Sequence, residues 1–409
     1  MAEELIVNMQ NNLFENHLYA RASNLSFLTY QIATSLTPLY LFNSKIICTI
    51  GTGAIYACIV FVLIETFCFR CRIIINRILR VYLYVSFSII VLFFINFDKS
   101  SLMTTLVQLS LLYFVAIFST KILNENCFRL MVALGRFACF MMFLFVVVVR
   151  CLENCRSQDF FRLLVSPVIL KCLFISSFYF LLDVKYFFGR VLFFSFVLFL
   201  LGERGSSLSL FIFMAVRMIL KRINRVKINK RRLFLLKLIF FVYMFSVLIM
   251  PIIYVQLWKS PFALDLQEFS MRLTGGNFFS GRQNIWGLAL DFISTRPVVG
   301  YGIGGSVLTS RGIQDSTHNL YLNILLEGGI VYLLAFVWLM YVIWTELTNN
   351  HMSDRGLFFP SFLISILAAV SFENYLLGNM VSPSLIVWMI VGMGLALNNK
   401  VKREEQILS

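Results

Sequence analysis

Two arginines and one histidine are the side chains of this sequence best suited to chemistry on a charged ligand. Arg204 lies in a short polar stretch between two apolar runs, Arg282 lies near the start of a predicted helix, and His318 is one of three histidines. A guanidinium presents a planar fork of donors that matches phosphate oxygens. An imidazole accepts or donates a proton near neutral pH. If these side chains meet, they predict a site for an anionic ligand.

Each of the three also has a simpler interpretation. Arg204 could pair with Glu203 or reach toward lipid headgroups. Arg282 could pair with Asp291 or remain in water. His318 could cap the helix that follows it. The functional interpretation depends on co-location, because the membrane topology predicted below brings all three residues to the outer side of one membrane.

The composition predicts a polytopic membrane protein. Of the 409 residues, 59% are hydrophobic and 13% are charged, and the mean hydropathy is +0.84. Runs of about 20 apolar residues recur along the chain, which is the length that spans a bilayer as a helix. The alternating pattern of a membrane β-barrel is absent. The fold class predicted is therefore all-α.

The net charge of +15 indicates topology rather than nucleic-acid binding. Lysine and arginine concentrate in two runs, 70–80 and 221–232, and cationic loops are held on the cytoplasmic side. With both runs inside, the sequence predicts about twelve membrane helices and cytoplasmic termini. The predicted spans are 24–42, 46–69, 81–97, 101–120, 130–149, 163–182, 191–203, 206–220, 233–255, 319–344, 357–376 and 382–398.

This membrane topology divides the chain into five predicted parts. They are a cytoplasmic tail at 1–23, helices one to nine at 24–255, a periplasmic loop domain at 256–317, helices ten to twelve at 318–398, and a second cytoplasmic tail at 399–409.

The loop domain is the one large polar segment and is expected to fold. Residues 280–294 predict a short helix with Ser280 as its N-cap, and Arg296 with Pro297 predicts its end. The glycines between 300 and 305 permit either a tight turn or a close backbone approach to a ligand. His318 follows where the chain re-enters the bilayer.

Several kinds of site find no support in the sequence. No GxxxxGK[ST] loop is present, which argues against an ATP-driven pump. Aspartates are too sparse on the outer side for a metal-binding Asp-x-Asp pair. We therefore expect no metal and no cofactor, which suits a donor that already carries a good leaving group.

A family resemblance rests on motifs between 281 and 330. They are Arg282-x3-Trp286, Arg296-Pro297-x2-Gly300-x-Gly302-x-Gly304, and Thr317-His318-Asn319-x-Tyr321-Leu322-x4-Glu327-Gly328-Gly329. Together they resemble the O-antigen polymerase and O-antigen ligase superfamily. Gly202-x-Arg204-Gly205 is similar to the Ser-Arg-Gly motif of that superfamily, with Glu203 in place of the serine.

The resemblance implies a metal-independent, inverting glycosyltransferase of the GT-C type at the periplasmic face of the bacterial inner membrane. Its implied donor and acceptor are undecaprenyl-pyrophosphate-linked glycans among membrane lipids, with a chain-length regulator protein as a further partner. Arg204 and Arg282 would neutralise the departing pyrophosphate. His318 would orient or deprotonate the acceptor hydroxyl, or bind pyrophosphate. The supporting substrate-binding candidates are Trp286, Asn319, Tyr321 and Glu327.

Three functions remain as hypotheses. The form of the His318 motif favours a polymerase, which joins repeat units, over a ligase, which transfers finished glycan to lipid A-core. The third hypothesis is a transporter for the same lipid-linked sugars, because Arg136 and Lys171 lie at membrane depth. These two cations could instead contact Glu203 or line the route of the donor. No internal repeat supports the transporter.

Overall fold

The structure describes most of the chain beyond residue 75. The computed structural model describes residues 31, 76–95, 101–121, 123–153, 167–183, 185–225, 230–274, 277–279, 281–304, 317–348, 353–377 and 380–408. The predicted tail at 1–23 and the predicted spans 24–42 and 46–69 lie outside the described residues, apart from Gln31.

All regular secondary structure in the described ranges is helical, which confirms the predicted all-α class. The twelve helices are α1 (Arg77–Ile95), α2 (Ser101–Phe118), α3 (Glu125–Glu153), α4 (Pro167–Leu181), α5 (Phe187–Leu200), α6 (Arg204–Asn224), α7 (Lys230–Trp258), α8 (Ala263–Thr274), α9 (Arg282–Thr295), α10 (Leu320–Thr348), α11 (Phe358–Ala369) and α12 (Val381–Leu408).

The helices agree with a multi-pass membrane protein. Five stretches are long and apolar enough to cross a bilayer: Arg77–Ile95, Glu125–Val149, Lys230–Trp258, Leu320–Thr348 and Val381–Lys400. Large apolar side chains also cover outward helix faces, among them Phe94, Phe137, Phe196 and Phe245, where lipid is the matching solvent. The number of crossings and the side on which each loop lies stay predictions.

Two predicted helix boundaries need correction. Gly281, with φ of 86°, occupies the N-cap position of α9 instead of Ser280; Ser280 itself lies outside the described residues. The predicted end of α9 at Arg296 is confirmed. The predicted span 357–376 is wrong at its end, because α11 stops at Ala369 and the chain then turns. This turn becomes part of the candidate site.

Aromatic packing holds the central helices together. The ring of Phe178 on α4 lies 5.0 Å from that of Phe213 on α6 and 4.8 Å from that of Phe362 on α11. Ser365 of α11 donates a hydrogen bond of 2.7 Å to the carbonyl of Ser209 on α6. Contacts of this kind fix α4, α6 and α11 against one another, and the candidate site lies beyond the C-terminal end of α11.

A break in α10 accommodates the glycine-rich segment that follows α9. Gly329 leaves the helical conformation at φ 61° and ψ −157°. The carbonyls of Leu326 and Glu327 accept hydrogen bonds from the amides of Tyr301 and Gly302 at 2.8 and 2.9 Å. The amide of Ile330 in turn donates to Pro297 at 2.8 Å. The glycine segment therefore approaches the backbone of α10, whereas the sequence suggested a tight turn or an approach to a ligand.

Gly329→Ala is expected to destabilise the protein strongly. A Cβ atom at this position would lie 2.3 Å from the carbonyl oxygen of Val298, and φ of 61° is itself unfavourable for an L side chain. We expect a loss of about 2 kcal/mol or more, measured as a lower apparent Tm of detergent-purified protein. Gly189→Ala is the matched control, because a Cβ there meets no atom within 4 Å. Equal thermal stability of the two variants would contradict this account.

Candidate active site

Trp286 docks helix α9 onto the membrane helices. Its side chain is buried beside Val255 of α7 and Leu322 of α10, and its ring lies 4.9 Å from that of Tyr254. Its indole Nε1 donates a hydrogen bond of 2.7 Å to the carbonyl of Thr317. Trp286 thus fixes α9, whose first residue is Arg282, to the segment that carries His318.

His318 lies between two residues that are buried and hydrogen-bonded. The Oδ1 of Asn319 accepts from the amide of Leu322 at 3.0 Å, so Asn319 caps α10 and the capping interpretation of His318 is wrong. His318 itself adopts a left-handed backbone with φ of 45°. Such a conformation costs about 1–3 kcal/mol for a residue other than glycine and persists where its surroundings determine it.

The turn after α11 is tied to the start of α10. The amide of Leu320 donates to the carbonyl of Val370 at 2.9 Å. The amide group of the Asn319 side chain donates to the carbonyl of Ser371 at 2.8 Å. These two bonds set the relative positions of His318 and Glu373.

Glu373 is the centre of the site. Its Oε1 lies 3.3 Å from Nζ of Lys171 and 3.5 Å from Nη2 of Arg282. Its Oε2 lies 3.3 Å from Nδ1 of His318. One carboxylate therefore joins α4, α9 and the start of α10, and it brings together two of the three predicted site residues.

Lys171 extends this cluster to the turn before α6. Its ammonium contacts Glu203 as well as Glu373, and the side chains of Lys171 and Glu203 are only 5% and 12% exposed. Ser206 donates a further hydrogen bond of 3.0 Å to Glu203. Of the alternatives that the sequence left open for Lys171, the contact with Glu203 is the one found in the structure. Lysine and glutamate are rarely buried without partners, so this pairing makes their burial possible.

The cluster holds Glu373 in its charged form. Burial opposes ionisation of its carboxyl group, but the hydrogen bond with His318 and the charges of Lys171, His318 and Arg282 lower its pKa below the ordinary value. A lowered pKa means that the stabilising contribution of the pairs is fully present above the ordinary glutamate value and is lost as pH falls through the lowered one. The pairs are therefore intact at neutral pH.

Arg204 lies next to the cluster around Glu373 but makes no ion pair with its carboxylates. Its side chain is exposed, and no described carboxylate lies within ion-pair distance of it, so the predicted alternative of a pair with Glu203 is not found. The neighbouring Gly205 packs against Phe372, which a Cβ at position 205 would approach to 3.3 Å. The turn that carries Arg204 is thus adjacent to the turn that carries Glu373.

The remaining substrate-binding candidates have protein partners in this structure. Tyr321 is buried and its hydroxyl donates to Leu367 at 2.8 Å. Glu327 is buried, and its carboxylate accepts from Asn323 at 2.9 Å and from Gln108 of α2 at 3.2 Å. Together with the buried Trp286 and Asn319, these side chains hold the site in place, and their direct contact with substrate stays a prediction.

The cations that suggested a transport route have fixed counter-ions. Nη2 of Arg136 lies 2.7 Å from Oδ2 of Asp183, and its Nε donates to the carbonyl of Tyr179. Lys171 is held by Glu203 and Glu373. These pairs account for both cations within the protein, so the position of Arg136 and Lys171 at membrane depth no longer supports a transporter.

Glu373 is the residue that the sequence analysis missed as part of the site. An acidic residue inside a predicted membrane span is itself a signal of function, and Glu373 fell within the predicted span 357–376.

The comparisons with known proteins agree with the motifs. A comparison with curated proteins finds no match. The family described as O-antigen ligase matches residues 190–337, a segment that contains Arg204, Arg282 and His318 but neither Lys171 nor Glu373. The match does not distinguish ligase from polymerase. The match therefore supports the resemblance of residues 190–337 to the O-antigen ligase and polymerase superfamily.

Proposed function

We propose that this protein is an O-antigen polymerase. It would join undecaprenyl-pyrophosphate-linked repeat units at the periplasmic face of the bacterial inner membrane. The observation that carries this proposal is that Arg282 and His318, which both lie within the matched segment, meet at one carboxylate, that of Glu373. These side chains come from opposite ends of the segment 282–318 and share one carboxylate, as expected of residues that act on one ligand.

The arginines would act on the donor. Arg282 is 28% exposed and Arg204 is exposed, so both guanidinium groups can reach a ligand. In the proposed step the acceptor hydroxyl oxygen bonds to the anomeric carbon of the donor glycan as the bond from that carbon to the pyrophosphate oxygen breaks. The electron pair leaves with undecaprenyl pyrophosphate, and the arginines stabilise the charge that develops on it.

The proposed reaction does not depend on a metal ion, because arginine side chains supply the positive charge that a divalent cation would otherwise provide. Transfer in isolated membranes should therefore continue in the presence of EDTA. Inhibition that a divalent cation reverses would contradict this part of the proposal.

The lipopolysaccharide gel profile of a deletion strain tests the proposal. Loss of a polymerase should leave cores bearing a single repeat unit, and the wild-type gene should restore the ladder while His318→Ala should not. An unchanged ladder in the deletion strain would contradict the proposal.

A ligase is the second candidate, because the matching family carries that description. Bare core in the deletion strain, with long glycan still attached to the carrier lipid, would identify a ligase. The same arginines and histidine would then act on the same type of donor, with lipid A-core as the acceptor.

A further inference from the structure

We infer that Glu373 is a positioning residue that holds Nδ1 of His318, so that Nε2 takes the proton of the acceptor hydroxyl. The inference rests on the proposed transfer function and decides between the two roles that His318 could have in it. Glu373 lies outside the segment that matches the family, so its role is drawn from the geometry of this chain.

The backbone segments that carry Glu373 and His318 are both held in place, and this fixes the contact between the two side chains. Oε2 of Glu373 lies 3.3 Å from Nδ1 of His318. The left-handed backbone of His318 is held between the buried Thr317 and Asn319, and Asn319 bonds to Ser371, two residues before Glu373. A carboxylate that accepts a hydrogen bond from Nδ1–H selects the tautomer in which Nε2 is the basic nitrogen.

The charges around His318 favour a base over a pyrophosphate binder. Lys171 and Arg282 contribute two positive charges, while Glu203 and Glu373 contribute two negative charges. The two acidic groups balance the two basic ones, and the carboxylate of Glu373 is the one in contact with His318. A carboxylate against Nδ1 stabilises the imidazolium that forms when Nε2 takes a proton during transfer, which is the need of a base.

Glu373 is itself poorly suited to be the base. Its contacts with Lys171, Arg282 and His318 stabilise the carboxylate, and its pKa is lowered. His318 is the more accessible group, because its side chain is 42% exposed and that of Glu373 is 18% exposed. In the transfer step the hydroxyl proton passes to Nε2 as the oxygen bonds to the anomeric carbon, and the imidazolium later releases it to water.

The pH dependence of transfer by purified protein tests this role, with an undecaprenyl-pyrophosphate-linked repeat unit as substrate. A histidine base must be neutral, so the wild-type kcat should fall as the medium becomes acidic. In Glu373→Gln, kcat should fall about 10²-fold or more, while KM for the donor changes by less than about threefold. Glu373→Asp should recover part of kcat.

Other outcomes would overturn the inference. A wild-type rate that rises as pH falls would mean that protonated His318 binds pyrophosphate. A Glu373→Gln variant with normal kcat and a lower KM would mean that Glu373 only competes with the donor pyrophosphate for the cationic side chains and does not position His318. Glu268→Gln, on exposed α8, is the control and should behave as wild type, since its carboxylate pairs only with Arg272 among the described residues. If the wild type transfers nothing, the proposed function fails before Glu373 is tested.

Imidazole nitrogen spectra provide a readout that does not depend on activity. In protein labelled with ¹⁵N-histidine, His318 is one of three histidines, and its two imidazole nitrogen signals can be assigned by their loss in His318→Ala. The wild-type spectrum at alkaline pH should show the Nδ1–H tautomer, and Glu373→Gln should show a mixture. An Nε2–H tautomer in the wild type would overturn the inference even if the variants were unstable.

Discussion

Arg282→Ala is expected to abolish glycan transfer while the protein reaches the membrane at its normal level. Trp286 docks α9 through its buried ring and its hydrogen bond to Thr317, so α9 should stay in place without the arginine. The guanidinium lies at the partly exposed edge of the cluster, 3.5 Å from Glu373. Removing a charge that stabilises the departing pyrophosphate should cost at least about 10²-fold in kcat.

Two further variants sharpen the test of Arg282. Arg282→Lys keeps the charge but loses the two-pronged donor geometry, so it should transfer poorly; undiminished transfer would show that a point charge is sufficient. Arg272→Ala on α8 is the control, because this side chain is 82% exposed, and it should retain full transfer. Normal glycan ladders from Arg282→Ala would mean that the site is assigned wrongly.

Lys171→Met is expected to cause the largest loss of stability. The ammonium lies between two carboxylates at a side-chain exposure of 5%. Methionine leaves Glu203 buried without a counter-ion among the described residues. Removing one partner of a buried pair costs about 3–5 kcal/mol, which should appear as a large drop in apparent Tm and in the amount of protein in the membrane.

A second substitution should reverse part of that loss. Glu203→Gln removes the unpaired charge and keeps a hydrogen-bond partner for Ser206, so the double variant should be more stable than Lys171→Met alone. Lys221→Met is the control: its pair with Asp354 is about half exposed on both sides and contributes less than about 1 kcal/mol. Equal effects at positions 171 and 221 would show that water reaches the Lys171 cluster.

The sequence predicts an all-α membrane fold because long hydrophobic runs and clusters of cationic residues between them are typical of multi-pass membrane proteins. It also singles out Arg282 and His318 because these residue types stand out in an apolar chain. For Lys171 the sequence left open a contact with Glu203 or a place along the route of the donor, and the structure shows the contact with Glu203.

The structure adds what local patterns do not encode. Apolar residues on both sides of Glu373 made 357–376 resemble one continuous span, but α11 ends at Ala369 because the chain turns there to meet Asn319. The glycine motif after α9 likewise could not be assigned a partner, because that partner is the α10 backbone, more than 20 residues later in the chain, exposed by the break at Gly329. Both features depend on contacts between distant parts of the chain.

Transfer by the purified protein tests the central claim most directly. Wild-type protein would be incubated in lipid vesicles with undecaprenyl-pyrophosphate-linked repeat units and no other protein. The account predicts carrier lipids bearing two or more repeat units, one free undecaprenyl pyrophosphate for each new linkage, and no product from His318→Ala. Transfer that occurs only to added lipid A-core, or no transfer to either acceptor, would contradict the assignment as a polymerase.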